Sequence, residues 1–215
     1  MIHDLGRTLR AAAGGDFPAA DGTVAVLPPP SPRDNGVLSF SGCAVVFADV
    51  SPVWVHSHLT PGDLAGPLSP AFLAALATRT GREVENVDML TAAQPLPGPP
   101  PLALRETRDP AHPRIARALR HRDDVRAWTA VEDGNGTLVI GRGVAGRWEV
   151  AVEVPETARG LGLGRRLAAA ARHLVPPGEP VWAQVAPANA ASVRALLAAG
   201  FTPVGAEALL QRRPY

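Results

Sequence analysis

The 215-residue sequence predicts a protein of the mixed α/β class, in which a mostly antiparallel sheet is flanked by helices. Short apolar segments alternate with amphipathic helical patterns along the second half of the chain, which indicates strands and helices in one layered domain. The residues from Asp133 to Gly136 (DGNG) separate two apolar segments, and they accept the positive φ angles of a tight antiparallel hairpin. The first hundred residues predict a smaller α/β extension.

The composition indicates a folded protein without a bulk charge for binding polyanions. Hydrophobic residues make up 46% of the chain, charged residues 19%, and the formal net charge is +1. We therefore expect neither a nucleic-acid partner nor a membrane partner. All 21 basic residues are arginine, so lysine chemistry, including that of a phosphate-binding P-loop, is excluded.

Cysteine content and hydropathy predict the compartment. The single Cys43 cannot form an internal disulfide, and no apolar segment approaches the roughly 20 residues that a membrane helix needs. The first residues lack the apolar core of a secretion signal. We therefore expect a cytoplasmic protein that is a monomer or a homodimer. We expect no metal site, because His56 and His58 have no third ligand nearby in the sequence.

A proline-rich segment suggests the domain boundary. Five of the seven residues in 95–101 are proline, which favours an extended linker. This linker would join an N-terminal extension over 1–94, whose role the sequence does not indicate, to a domain over 102–215. Ser69, Pro70 and Gly81 are typical of the start and end of a helix. The other elements predicted for the extension are strands over 37–40, 44–49 and 85–90.

In the second domain the apolar patterns predict alternating strands and helices. The predicted strands cover 102–107, 125–131, 137–144, 149–154 and 181–186, and a final pair of short strands covers 201–204 and 207–211. The first predicted helix covers about 109–121, and the third begins after Asn189 and ends at Gly200. The second follows the glycine-rich turn and ends at 176–178, and its apolar stripe consists of Leu163, Leu167, Ala170, Ala171 and Leu174.

The segment 150–164 (VAVEVPETARGLGLG) carries the clearest functional signal. A buried strand runs into glycines and then a helix, whose first N–H groups are unpaired and can meet an anion where no side chain intervenes. Arg159, Arg165 and Arg166 flank the turn, which predicts a site for a phosphate-bearing cofactor. The same glycines are also compatible with a tight turn alone, and both interpretations remain open at this point.

Two better-known glycine loops do not fit. A Rossmann fingerprint belongs to a sheet of alternating parallel strands, whereas an antiparallel hairpin precedes this loop and too few residues follow it. A Walker loop needs a Gly-Lys pair, and the chain has no lysine.

The pattern Arg159-x-x-Gly162-x-Gly164 resembles the acetyl-CoA signature of the GCN5-related N-acetyltransferase (GNAT) family. Residues 189–201, from an asparagine cap to a Gly-Phe pair, are similar to a second signature of that family. The resemblance covers about 102–210. It implies the GNAT fold, acetyl-CoA as cosubstrate, and acetyl transfer to a primary amine of a small-molecule or peptide acceptor. The tyrosine that often acts as general acid in the family is Leu196 here.

The resemblance also implies which residues bind the cosubstrate. Asn189 and Ser192 would lie near the pantetheine arm, and backbone groups near Val152 and Val154 would bind that arm and the thioester carbonyl. The residues implied at the pyrophosphate are Arg159, Gly160, Leu161, Gly162, Leu163, Gly164 and Arg165.

Transfer to an amine also needs a base, because a free alkylamine has a pKa of about 10.4. Glu149 and Glu153 stand four residues apart on one face of the central strand, and a carboxylate on an apolar strand predicts a raised pKa. Proximity to the glycine turn favours Glu153, because Glu149 lies about 13 Å further along the strand. The family's glutamate often lies further back, which favours Glu149. For each glutamate the alternative is a solvent-facing charge without a catalytic role. For the protein as a whole the alternative is a non-catalytic acyl-CoA-binding or regulatory module.

Overall fold

The computed structural model describes residues 2–131 and 135–212, and the predicted hairpin turn at 133–136 lies partly outside them. The chain divides into two compact units, residues 1–90 with 204–215 and residues 91–203. The predicted fold class is confirmed, because helices accompany strands in both units and most strand pairs are antiparallel. In the described residues no helix has the length and hydropathy needed to cross a bilayer.

In its described residues the first unit contains three α-helices, a short 3-10 helix and a small sheet. The elements are α1 (Leu5–Ala13), β1 (Val24–Leu27), β2 (Asn35–Phe40), β3 (Cys43–Phe47), α2 (Pro52–Ser57), α3 (Pro70–Thr80), β4 (Arg82–Val84) and β11 (Thr202–Arg212). The strands follow the order β1, β3, β2, β11, and β4 also pairs with β11. The β1–β3 pair is parallel, and the pairs of β2 with β3 and of β11 with β2 and β4 are antiparallel.

Helix α3 follows from its capping residues. The Ser69 hydroxyl accepts a hydrogen bond from the backbone N–H of Phe72 at 3.3 Å, and Gly81 ends the helix with a φ of 66°. Phe72 and Leu76 are buried in an apolar cluster with Val37 and Val46 of the sheet. The predicted helix is thereby confirmed.

The final strand differs from its prediction. Instead of two short strands over 201–204 and 207–211, β11 runs without interruption, and its residues 206–210 pair with residues 35–39 of β2. A Cβ atom at Gly205 would clash with the carbonyl oxygen of Ser39. The glycine therefore permits close approach to β2, and the strand continues through the residues that the prediction had left between two short strands.

We expect Leu210→Ala to lower the free energy of unfolding of the first unit by about 3 kcal/mol, because truncating a buried leucine loses transfer energy and leaves a cavity. Leu210 is almost fully buried in the cluster of β2, β3 and α3, whereas Leu64 of the same unit is 56% exposed. Urea unfolding followed by circular dichroism compares Leu210→Ala with the control Leu64→Ala. Equal unfolding curves would contradict the placement of residues 204–212 in this core.

The second unit contains residues 91–93 of β5 (Asp88–Ala93) and further strands and helices. These further elements are β6 (Arg105–Thr107), α4 (Pro113–His121), β7 (Asp123–Ala130), β8 (Gly136–Arg142), β9 (Trp148–Glu153), α5 (Leu163–Ala171), β10 (Val181–Val185) and α6 (Ala190–Ala198). The strand order is β5, β10, β9, β8, β7, β6. The β9–β10 pair is parallel, and the pairs from β6 to β9 are antiparallel.

Helices α4 and α5 cover opposite faces of this sheet. A Cβ atom at Gly136 of β8 would meet the side chains of Leu163 and Leu167 on α5. The next residue, Thr137, has its hydroxyl oxygen 3.2 Å from Nε2 of His112, which caps α4. Because successive residues of a strand point to opposite faces, the odd-numbered residues of β9 that pair with this part of β8 face α4.

The proline-rich segment is held against α5 within the second unit. The N–H of Leu96 donates to the carbonyl oxygen of Arg172 at 2.8 Å, and Nδ1 of His173 lies 3.1 Å from the carbonyl oxygen of Pro97. Prolines have no N–H, but their carbonyl groups still accept hydrogen bonds. The segment therefore is not a free spacer within this unit.

The unit boundaries also differ from the predicted 1–94, 95–101 and 102–215. The contacts divide the chain between Leu90 and Thr91, and they assign 204–215 to the first unit. The reason is the long ladder between β11 and β2, which the sequence pattern of β11 alone does not reveal.

Candidate active site

The central feature of the second unit is the place where β9 and β10 part. In the described residues their ladder joins Trp148 to Val181 and Glu149 to Trp182 and extends no further. Beyond these pairs β9 continues to Glu153 and β10 to Val185. The backbone groups that face the gap lack their usual strand partner, so they can hydrogen-bond an extended ligand. The sequence did not predict this opening.

A short 3-10 helix (Glu156–Ala158) separates β9 from the glycine turn, which leads into α5. Gly160 and Gly162 have φ angles of 78° and 80°, which favour glycine, and Gly162 is the N-cap of α5. A Cβ atom at either glycine would meet open space, whereas one at Gly164 would lie 3.6 Å from Cγ2 of Val154. Gly160 and Gly162 therefore form the turn, whereas the position of Gly164 has room for a Cβ in ordinary van der Waals contact with Val154.

The turn presents a series of backbone donors. Counting from Gly160, Arg166 is the first residue whose N–H donates to a backbone acceptor, the carbonyl oxygen of Gly162 at 3.2 Å. In the part of the chain that the structure describes, the N–H groups of residues 160–165 have no acceptor. Together with the positive end of the helix dipole, they are suited to an anion.

The side chains around the turn add positive charge. Nε of Arg159 donates to the carbonyl oxygen of Val154 at 3.4 Å, and Arg165 is exposed. Leu161 is 75% exposed and Leu163 is buried, so Leu163 can offer a ligand its backbone alone. Residues 91–203 contain 14 arginines and 10 acidic residues, and this unit therefore has a positive net charge although the whole chain is nearly neutral.

Helix α6 lies beside the start of α5. A Cβ atom at Gly164 would be 3.8 Å from Cβ of Ala195. Oδ1 of Asn189 accepts the N–H of Ser192 at 3.1 Å, so Asn189 caps the helix and retains its amide NH₂ as a donor. Leu196 is buried and offers no acidic proton at the place where the family often has a tyrosine.

The structure places Glu149 in a buried ion cluster. Its carboxylate accepts from Nε of Arg147 at 2.7 Å, from Nε of Arg122 at 3.0 Å and from the N–H of Val144 at 3.3 Å. Burial would raise the pKa of Glu149, but the charges and hydrogen bonds of Arg147 and Arg122 outweigh it and hold the pKa below its usual range. The prediction of a raised pKa was wrong for this residue, because the sequence does not show that two arginines reach it.

Its surroundings also make Glu149 a poor base. A Cβ atom at Gly143 would overlap the Glu149 carboxylate, so the backbone closes one side of the group. Glu149 is 4% exposed and pairs across the sheet with Trp182, at the end where β9 and β10 are still joined. A base must be accessible to the acceptor and able to take its proton, and the burial and ion pairs of Glu149 disfavour both.

Glu153 lies at the other end of β9, beside the opening. Its Oε2 accepts a hydrogen bond from Nε of Arg114 at 3.2 Å, and its side chain is 42% exposed. It pairs with Thr137 of β8, whose hydroxyl contacts His112. Of the two predicted glutamates, Glu153 is therefore the one that is accessible to solvent. The sequence did not single out Arg114, His112 or Thr137.

No family model and no curated protein sequence matches this chain. The chain is similar to a GCN5-related N-acetyltransferase from Kribbella flavida (19% identity, TM-score 0.42) and to an acetyltransferase of the GNAT family from Colwellia psychrerythraea (10% identity, TM-score 0.39). It is also similar to a protein described as a GNAT-family acetyltransferase from Novosphingobium aromaticivorans (21% identity, TM-score 0.38). The matches cover 66, 66 and 63% of this chain and 64, 63 and 69% of those chains, so this chain spans about two thirds of their length.

Proposed function

We propose that the protein is an acetyl-CoA-dependent N-acetyltransferase that acts on a primary amine of a small-molecule or peptide acceptor. The observation that carries the proposal is the parting of β9 from β10, which is followed along the chain by a glycine turn with unpaired N–H groups. We further propose a cytoplasmic enzyme, monomeric or homodimeric, that needs neither nucleic acid nor membrane. These last features rest on the sequence alone.

The residues present fit acetyl-CoA in charge and in backbone geometry. The N–H groups of residues 160–165, with Arg159 and Arg165, would hold the pyrophosphate, and the space above Gly160 and Gly162 is open. Backbone groups at Val152 and Val154 would hold the pantetheine arm, and Asn189 and Ser192 on α6 would flank it. When bound, acetyl-CoA supplies the acetyl group as an activated thioester.

Glu153 would prepare the acceptor. An alkylamine is protonated at neutral pH, so a base has to remove one proton before the nitrogen can attack. Glu153 is half exposed at the end of β9 and directly precedes Val154, which contacts the start of α5. This position supports a direct transfer in which Glu153 accepts the amine proton, alone or through one water.

We expect Gly162→Asp to weaken acetyl-CoA binding at least tenfold, or about 1.4 kcal/mol, because it adds a negative charge among the phosphate donors. Gly178→Asp is a matched control. Gly178 is also exposed, has a φ of 79° and has open space at its Cβ, but it lies beyond the other end of α5. The control thus introduces the same backbone strain and the same negative charge at a position away from the proposed site.

Calorimetric titration with acetyl-CoA measures both variants and the parent protein. Weaker binding by Gly162→Asp and unchanged binding by Gly178→Asp would agree with the proposal. Absence of acetyl-CoA binding by the parent protein, or equal affinities of the two variants, would contradict it.

A second candidate function is a non-catalytic acyl-CoA-binding or regulatory module. It is favoured by Leu196, which leaves the site without the hydroxyl that often protonates the leaving thiolate in the family. Both functions require acetyl-CoA binding, so titration does not distinguish them. A measurement of CoA release in the presence of an amine distinguishes them, because a binding module does not catalyse acetyl transfer.

A further inference from the structure

The ion pair of Arg114 and Glu153 places opposite charges side by side at the open end of β9. Nε of Arg114 and Oε2 of Glu153 are 3.2 Å apart, and the two side chains are 36% and 42% exposed. An exposed pair of this kind contributes little to stability. Its position beside the proposed acetyl-transfer site therefore invites a functional explanation.

Both partners keep hydrogen-bonding capacity. In the described residues, the two terminal guanidinium nitrogens of Arg114 have no acceptor, and Oε1 of Glu153 has no donor. The planar guanidinium fork matches a carboxylate in a bidentate arrangement. The free carboxylate oxygen can receive a proton or a hydrogen bond from an amine.

The pair also stands on well-positioned elements. The backbone N–H of Arg114 donates to Nδ1 of His112 at 3.2 Å, and Nε2 of the same ring contacts the Thr137 hydroxyl at 3.2 Å. The histidine thus connects the first turn of α4 to β8, next to the strand that carries Glu153. Arg114 is held beside Glu153 by this turn and does not extend from a free loop.

Charge balance then indicates which acceptor fits. An ammonium group brought to this neutral pair would meet the positive Arg114 as well as Glu153, and it would gain little. A carboxylate next to the amine removes this conflict, because each charge of the acceptor meets an opposite charge. We infer that the acceptor is an α-amino acid, with its amine at Glu153 and its carboxylate at Arg114. This inference rests on the proposed function.

The corresponding reaction balances without a further reactant. Glu153 takes one proton from the ammonium group, and the nitrogen lone pair then forms a bond to the acetyl carbon. The carbon–sulfur bond breaks, its electron pair leaves with sulfur as CoA thiolate, and a second nitrogen proton is lost to solvent. The products are an N-acetylamino acid and CoA.

The test measures CoA release by the full chain with acetyl-CoA and each of the twenty common α-amino acids. For alanine, leucine and phenylalanine the amide and the decarboxylated amine are added, because they differ from the amino acid only at the carboxylate. We expect kcat/KM for an accepted amino acid to exceed that of its amide and its amine at least tenfold. Arg114→Gln should remove this preference, mainly through KM, whereas Arg120→Gln, an exposed arginine on the same helix, should keep it.

Calorimetry with acetyl-CoA separates the possible failures. If the protein binds acetyl-CoA but no amino acid releases CoA, or if an amine lacking the carboxylate reacts equally well, the inference is overturned and the proposed cofactor site stands. A preference that survives Arg114→Gln also overturns it. Absence of acetyl-CoA binding would overturn the proposed function, and the inference with it.

Discussion

We expect Glu153→Gln to lower the rate of acetyl transfer about a hundredfold near neutral pH, because the glutamine amide cannot accept the amine proton. The substitution keeps the size of the side chain and one acceptor oxygen for Arg114, whose Nε lies 3.2 Å from the present carboxylate. The rate should recover partly at high pH, where a growing fraction of the amine loses its proton without help.

The measurement is the dependence of kcat/KM on pH, with whichever amine the parent protein acetylates fastest. Urea unfolding of the same variant provides the control. Because the Arg114–Glu153 pair is exposed, its loss should change the free energy of unfolding by less than about 1 kcal/mol. A variant that keeps the rate and the pH profile of the parent protein would show that the base is another residue or water.

The glycine turn was predictable from the sequence because its chemistry is local. Gly160 and Gly162 have the positive φ angles that their position between a strand and a helix suggested, and α5 begins directly after them. The capping residues Ser69 and Gly81 likewise predicted where α3 begins and ends. In each case a few adjacent residues determine the backbone conformation, so neighbouring sequence is sufficient information.

Long-range pairing was not predictable in this way. The gap between β9 and β10 depends on the direction in which each strand leaves its last shared pair, Glu149 and Trp182, and no residue type marks that point. Likewise the ladder of β11 with β2 joins residues more than 160 positions apart, and the local pattern predicted two short strands in place of β11. Such features arise from tertiary packing, which outweighs local preference.

The two glutamates of β9 illustrate the same limit at the level of a single side chain. Their shared face was predicted from the period of the strand, and both indeed contact arginines from the end regions of α4. What the period could not predict is that Glu149 also meets Arg147 and the N–H of Val144 in a closed environment. Glu149 is buried with its charged partners, whereas Glu153 is partly exposed, so the two carboxylates differ in their access to solvent and in their chemistry.

Glu149→Gln is expected to lower the free energy of unfolding of the second unit by about 3 to 5 kcal/mol, because it leaves two arginines without their buried counter-charge. The side chains of Arg147 and Arg122 are 3% and 11% exposed, so water cannot replace the lost carboxylate well. Urea unfolding measures the effect, and Glu153→Gln is the matched control, with the same substitution on the same strand and face. The two variants should therefore show opposite behaviour, one losing stability and the other activity.

The dependence of stability on pH provides an independent measurement of the same cluster. The pKa of Glu149 is lowered in the folded protein, where Arg147 and Arg122 together outweigh the effect of burial. Its contribution should be complete at pH values above the ordinary glutamate pKa of about 4.3 and should disappear as the pH falls through the lower folded value. Glu149→Gln lacks this titrating group, so its stability should fall less than that of the parent protein on acidification below about pH 4.3. Parallel curves for the two proteins, or a loss of stability in Glu149→Gln no larger than in Glu153→Gln, would show that the cluster does not hold this end of β9 in place.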